Sequence, residues 1–523
     1  MPKIIYTGED FGEFYNNDYF FIDKTRMISK IINEKRHVYS ITRPRRFGKS
    51  LNLRMIREFF EKYPHPDNKI VKRNELFDGL EVSKDRKNMR EFHKYPVIFL
   101  NFKSDSSNNY ESAIKFIKKK ISKLYKENKN KIIFEKLSEE EKIKWNEIQN
   151  GKENERNLKK SIYFLTKVLT KFYKRKSIVL IDEYDRILIN GFYYNYYDNI
   201  FGIIRDMFSE ALKGNDFLHI GITTGCLDVG LKNLYSGVNN SIICSFLFDT
   251  KFSDCYGFTD DELNKILLHF GISNKYKDEV RNKYDGYSCY SEKGIIKNLY
   301  NPYSIMSFVD TNKGLKDNYQ FKNYWIKSGS DVILKNILYN NEFSFKKDFL
   351  SLLCGNIIIV YIKENISLDE TTYMDKSKVK LEEIKNSFSK EYIWTILLYS
   401  GYITLADEEE YKQRIKEMDD QIIKLISDEP EENDYEIEEN LSELEKNVNE
   451  IQLREYNKST IEQYKNALIN RNCNNDKKYV KVPNNEVLSK LTDLLTSILI
   501  KELELTKDEN INNFIEGLFD KKN

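Results

Sequence analysis

The chain has 523 residues, enough for two to four domains with cores of ordinary size, and 40% of them are apolar. Its 84 Lys and Arg stand against 82 Asp and Glu, a net charge of +2, which excludes a global electrostatic pull toward nucleic acid or membrane. Six cysteines (Cys226, Cys244, Cys255, Cys289, Cys354 and Cys473) form no Cys-x-x-Cys pair and the five histidines are scattered, which argues against structural zinc and for reduced thiols in an intracellular, cytoplasmic protein.

The first ten residues include Glu9 and Asp10 and lack an apolar core, so they do not read as a secretory signal. Runs such as Ile357 to Ile362 and Leu494 to Ile500 are too short to span a bilayer, and a soluble protein is expected. Residues 1–36 read as a lead-in in which a short strand, Tyr19 to Thr25, enters a helix carrying Met27, Ile28, Ile31 and Ile32. Val38 to Ile41 is a short apolar run, Leu51 to Phe60 a helical pattern, and between them stands Thr42-Arg43-Pro44-Arg45-Arg46-Phe47-Gly48-Lys49-Ser50. Strand, loop and helix in that order are where a phosphate-binding loop belongs: Gly48 lets the backbone approach an oxyanion, Lys49 reaches terminal phosphates, and Ser50 offers a hydroxyl to magnesium. The loop's start is unusual, because Arg43 stands where the common pattern has glycine and Pro44 has no N–H to donate. From this stretch alone, a basic loop before a surface helix is the competing reading.

Pro96 to Phe102 reads as a buried strand and Ser112 to Thr170 as a long charged helical stretch. Ser177 to Ile181 is an apolar β-rich run ending in Asp182-Glu183-Tyr184-Asp185, and acids at the carboxyl end of a buried parallel strand sit where open α/β sheets bind ligands. Asp182 is expected to share the metal with Ser50, and Glu183 to polarise an attacking water; the bland alternative is that both cap the next helix. Phe217 to Ile222 is a further strand ending in Thr223-Thr224-Gly225, with Ile242 to Phe248 after it. About five strands, one of them between the loop and the acidic strand, together with the Asp-Glu pair, point to the ATPase branch of P-loop folds. Thr224 is the candidate to sense the terminal phosphate, against a simple turn-closing role. The expected class is thus α/β, a P-loop NTPase core over 37–252 whose parallel sheet is flanked by helices. Its catalytic candidates are Lys49, Glu183 and Thr224, its metal ligands Ser50 and Asp182, and its phosphate cradle Arg45, Arg46, Phe47, Gly48, Lys49, Ser50 and Leu51, with ATP and Mg2+ as cofactors.

From Cys255 the pattern turns mainly helical, giving a second region over 253–405. Thr259 and Glu262 carry a capping-box spacing ahead of Leu263, Ile266 and Leu267. The aromatic turns at Tyr284-Asp285-Gly286-Tyr287 and Tyr300-Asn301-Pro302-Tyr303-Ser304 read as core anchors. Residues 406–478 are rich in Glu, Lys and Asn with two heptad blocks, Tyr411 to Leu425 and Ile437 to Ile451, separated by Asp428-Glu429-Pro430. A projecting helical hairpin, pairing with another chain, and a solvated insert are the open readings. Residues 479–523 close the chain with an amphipathic helix from Val487 to Phe519.

Taken together, the motifs resemble the AAA-ATPase-like family of P-loop proteins. The resemblance rests on Phe21-Ile22-Asp23-Lys24-Thr25, the 42–50 loop, Ile181 to Asp185, Ser236 to Asn240, Tyr256 to Thr259, Tyr284 to Tyr287 and Tyr300 to Ser304. It covers residues 8 to 310 firmly and continues in patches through Gly401 to Thr404 and Val482 to Val487. It implies that the Arg-Pro-Arg-Arg-Phe entrance is normal for such a loop, with Arg43, Arg45 or Arg46 adding charge near the phosphates. Relatives often carry a PD-(D/E)XK nuclease-like domain after the Pro-Asn-x-Glu-Val segment; the 36 residues after Val487 are too few for one, so nuclease activity is not expected. The expected function is Mg-dependent ATP hydrolysis that moves the region behind Cys255. The alternative is a non-hydrolysing, nucleotide-stabilised scaffold that captures a protein partner through 406–478. Nucleic-acid association through the lysines between Lys115 and Lys131 is a weaker third idea, and the oligomeric state is open.

Overall fold

The structure is a computed structural model that describes residues 11–13, 19–34, 37–62, 75–227, 241–245, 251–291, 294–325, 348–349, 351–362, 390–427 and 477–492. Helix α1 (Arg26–Asn33) precedes strand β1 (Val38–Thr42) and helix α2 (Lys49–Phe60). Then follow β2 (Val97–Asn101), α3 (Tyr110–Lys129), α4 (Glu139–Gln149), α5 (Glu155–Lys159), α6 (Ser161–Tyr173) and β3 (Ser177–Asp182). Helices α7 (Asp185–Tyr193) and α8 (Tyr197–Leu212) lead to β4 (Leu218–Gly225) and β5 (Ser241–Cys244).

These five strands form one parallel sheet in the order β2-β3-β4-β1-β5. The expected count of five strands holds. The strand that lies between the loop strand and the acidic strand in space is β4, whereas β2, which lies between them in the chain, is the sheet edge. Both faces are covered, which is why the strands read as apolar runs without alternation. Ile178 and Leu180 enter one core with Met55, Ile56 and Phe59 of α2, and Val179 and Ile181 enter the other with Leu165 of α6 and Ile204 of α8.

The long helical stretch expected from Ser112 to Thr170 is four helices, the first three of them with side-chain caps of their own. Asn109 and Ser138 each make a reciprocal capping box, Asn154 accepts from the Asn157 amide, and Gly151 at φ 69° ends the run between α4 and α5. Likewise residues 20–24 are irregular chain rather than strand. Asp23 bends them by accepting from the Thr25 amide at 2.8 Å and the Thr25 hydroxyl at 2.6 Å.

After Cys255 come α9 (Asp260–His269), α10 (Lys277–Tyr284), the antiparallel pair β6 (Tyr287–Ser291) and β7 (Gly294–Leu299), and α11 (Pro302–Asn312). Further on are β8 (Ile358–Tyr361), α12 (Lys390–Ser400), β9 (Thr404–Ala406), α13 (Glu408–Ser427) and β10 (Lys477–Lys481). The region is therefore less helical than its pattern suggests: β8, β10 and β9 make a second antiparallel sheet, assembled from strands too short to show a period. Strands β9 and β10 pair as neighbours, Ala406 opposite Tyr479. Helix α13 carries the first heptad block, while the second, Ile437 to Ile451, lies outside the described residues, as do Ser236 to Asn240, Cys473 and the expected helix beyond residue 492. No described helix is long and apolar enough to cross a membrane.

The lead-in is strapped to the second region by Lys24, whose ammonium donates to both oxygens of Glu262 at 2.7 and 2.8 Å and to the Asp254 carbonyl at 3.1 Å. Burial pushes the Lys24 pKa down against the pull of Glu262, so the pair is a desolvated strut rather than a surface ion pair.

Candidate functional site

The sheet register sets the site. At its carboxyl edge Asn101 of β2 stands beside Asp182 of β3, Asp182 beside Thr224 of β4, and Gly225 beside Thr42 of β1, where the loop leaves the sheet. Polar residues thus close four apolar strands at one level. Gly225 is required there, since a Cβ would lie 2.7 Å from the Tyr184 ring and 2.8 Å from the Asp185 carboxylate.

Arg46 at φ 67° and Gly48 at φ 84° turn the loop so that α2 starts at Lys49 directly above the sheet edge. No side chain caps α2, which leaves its first amides and the positive end of its dipole available to an anion. The Lys49 ammonium, buried, donates to the carbonyls of Arg43 and Pro44 at 2.9 Å each and to the Cys226 sulfur at 3.2 Å. Ser50 follows on the first turn, half-buried. The side chains of Phe47 and Leu51 serve packing: Phe47 meets the Tyr287 ring edge-on with centroids 5.0 Å apart, and Leu51 lies against the α2 core, so both offer the site backbone alone.

The three loop arginines separate by environment. Arg43 is 1% exposed, donates to the carbonyls of Thr42 and Cys244 at 2.8 Å each and lies over the Tyr256 ring at 4.9 Å. It braces the sheet edge where the common pattern would have glycine. The Arg46 guanidinium is over the Tyr303 ring at 4.5 Å. Arg45 is the one among the acids: burial opposes its charge, yet Cys226, Tyr402, Asp185 and Glu183 together raise its pKa.

Opposite the loop, Asp182 is fully buried and each carboxylate oxygen takes a donor. Thr224 Oγ1 donates to Oδ1 at 2.6 Å and Asn101 Nδ2 to Oδ2 at 2.8 Å. Thr224 therefore acts on the aspartate. Glu183 follows at φ 51°, a left-handed conformation that costs a non-glycine residue about 1 kcal/mol and turns the chain out of β3. Burial first, then Asp182, raise the Glu183 pKa while Lys49 lowers it, and the net shift is upward. Asp185 accepts from the amides of Cys226 at 2.8 Å and Leu227 at 2.9 Å, tying the turn after β4 to α7.

Oxygen donors at Ser50 and Asp182 suit a hard divalent cation, which would draw further ligands from phosphate and water rather than from a protein cage. The sequence assigns no role to Asn101, Gly225 and Cys226, and Asp185 figures in it only as the last residue of the acidic motif. Asn101 had a signal, since it ends the apolar run Val97 to Leu100 as Asp182 ends its own; the others are visible only once β4 is placed between β1 and β3.

Comparison with known proteins adds a likeness to one family over the first part of the chain. Residues 6–235 match the AAA-ATPase-like family model, described as a predicted AAA-ATPase. The match begins where the motif resemblance begins and includes the loop, Asp182, Glu183 and Thr224; the motifs from Ser236 onward lie beyond it. A protein of Azotobacter chroococcum mcd 1, described as "Uncharacterized protein in vnfD 5'region", is 24% identical over 323 residues, 62% of this chain and 53% of the relative. The chain thus spans about half the length of that curated relative.

Proposed function

We propose that the chain binds ATP with Mg2+ at the 42–50 loop and hydrolyses it. The observation that carries this reading is the convergence at one sheet edge of an uncapped helix N-terminus, Lys49, and the Asp182 carboxylate held on both oxygens. The amides from Arg45 to Leu51 cradle the phosphates, and Lys49 exchanges its carbonyl contacts for the terminal phosphate oxygens. Ser50 and Asp182 would hold the cation, which when bound would offset phosphate charge. Glu183 accepts the proton of the attacking water as the bond between the terminal and middle phosphates breaks, releasing ADP and phosphate. Its raised pKa makes it a stronger base than an ordinary carboxylate and shifts loss of turnover to a correspondingly higher pH on the acid side.

The test is ATP binding and turnover, with and without DNA or RNA, in wild type, Lys49→Ala and Glu183→Gln. Lys49→Ala abolishes binding, and Glu183→Gln binds without turning over. Equal turnover in wild type and Glu183→Gln removes Glu183 from the mechanism, and tight binding without turnover in wild type favours the nucleotide-stabilised scaffold.

A further inference from the structure

Resting on that nucleotide reading, we propose that Asn301 is a positioning residue for the phosphate loop, and that through it α11 and the segment around Glu486 follow the loop's occupancy. Asn301 is 2% exposed and uses both ends of its amide. Its Oδ1 accepts from the amides of Tyr303 at 3.0 Å and Ser304 at 3.4 Å, capping α11, and its Nδ2 donates to the Arg45 carbonyl at 3.1 Å. The next loop residue, Arg46, lies over the ring of Tyr303. Two consecutive loop residues are therefore held by the first turn of one helix.

This matters because Lys49 has two jobs that exclude each other. In the structure it satisfies the carbonyls of Arg43 and Pro44. When its ammonium turns to a phosphate, those carbonyls lose their donor, and the Arg45 carbonyl, tied to Asn301, keeps its own and holds the loop's bend. The same first turn of α11 is committed through a side chain as well. Ser304 Oγ donates to Glu486 Oε2 at 2.7 Å, and the Trp325 amide donates to Oε1 of the same buried carboxylate. Just before Glu486 the Pro483 carbonyl packs so closely on Gly286 that a Cβ there would lie 1.6 Å from the oxygen. A displacement of Arg45 is thereby passed through α11 to a segment with no slack.

The test separates the donor from the cap. Asn301→Asp keeps the acceptor for both α11 amides but removes the donor to Arg45, and Asn301→Ser is a second variant that keeps a capping oxygen. In the full chain, ATP affinity at fixed Mg2+ and hydrogen exchange of 302–312 and 485–492 with and without ATP are measured. We expect wild type to show ATP-dependent protection of α11, and both variants to melt cooperatively, to bind ATP about fivefold to tenfold more weakly, as loss of one hydrogen bond implies, and to lose that protection. Wild-type affinity in both variants, or wild-type exchange in α11 that ignores ATP, overturns the positioning role; the second arm stands whether or not a variant folds. Wild type that binds no ATP overturns the nucleotide reading itself, a result distinct from either.

Discussion

Asp182 shows how much of the site lies in single hydrogen bonds. A buried carboxylate free to rotate is a poor metal ligand; here Asn101 and Thr224 hold one oxygen each and fix the orientation of the carboxylate. Replacing Thr224 by Val keeps the shape and deletes the donor, so we expect a loss of about 1–3 kcal/mol in stability and a higher Mg2+ requirement for turnover. Thr224→Ser should restore the Mg2+ requirement, which is read from the half-saturating Mg2+ concentration; an unchanged requirement in Thr224→Val would deny the clamp. Thr224 was legible in the sequence as a polar strand end, but its partner was not, because which strand neighbours which cannot be read from a run of apolar residues. The arginines were harder still: Arg43, Arg45 and Arg46 are alike on paper, and contacts made in the fold distinguish them, the Cys244 carbonyl and Tyr256 for Arg43, Asp185 and Glu183 for Arg45, and Tyr303 for Arg46.

At the scale of elements, the strands of the first region were legible because burial on both faces leaves short but continuous apolar runs. The second region reads as mainly helical in its sequence, since strands such as β6 (Tyr287–Ser291) and β10 (Lys477–Lys481) mix polar with apolar residues and lack the continuous apolar run that marks β3. The Tyr284 to Tyr287 turn joins α10 to β6 and carries a titratable consequence. Asp285 has its pKa raised to about 6, by burial first and then by Asp260, against the Gly286 amide, Lys481 and Arg281. A carboxyl raised from 3.8 in the unfolded chain to about 6 in the folded one contributes stability that is full below the lower value and lost as pH rises through the higher. Asp285→Asn keeps an acceptor for the Gly286 amide, which the aspartate holds at 2.6 Å. The variant should therefore melt higher than wild type at pH 7.5 and converge with it near pH 4; a constant difference across that range would assign the effect to packing instead.

For the whole molecule, β9 and β10 matter because they bring the two ends of the charged insert side by side. Replacing 407–476 with a short turn should preserve the β8-β10-β9 sheet at the cost of the small Ile357, Ala406 and Tyr411 cluster. Under the ATPase reading turnover survives this excision, while under the scaffold reading partner capture is lost; measuring both in one variant tells them apart.

The contacts around the loop also set an order of events. Arg45 meets Asn301 across 256 positions of sequence, and Pro44 meets the Cβ position of Gly401 at 3.1 Å from still further along the chain. At ordinary synthesis rates of about 5–20 residues per second, roughly 20 to 70 s separate the emergence of the loop from that of Gly401. During that interval the sheet can form while its loop stands unclamped, so the loop proposed to bind nucleotide matures well after the sheet that carries it.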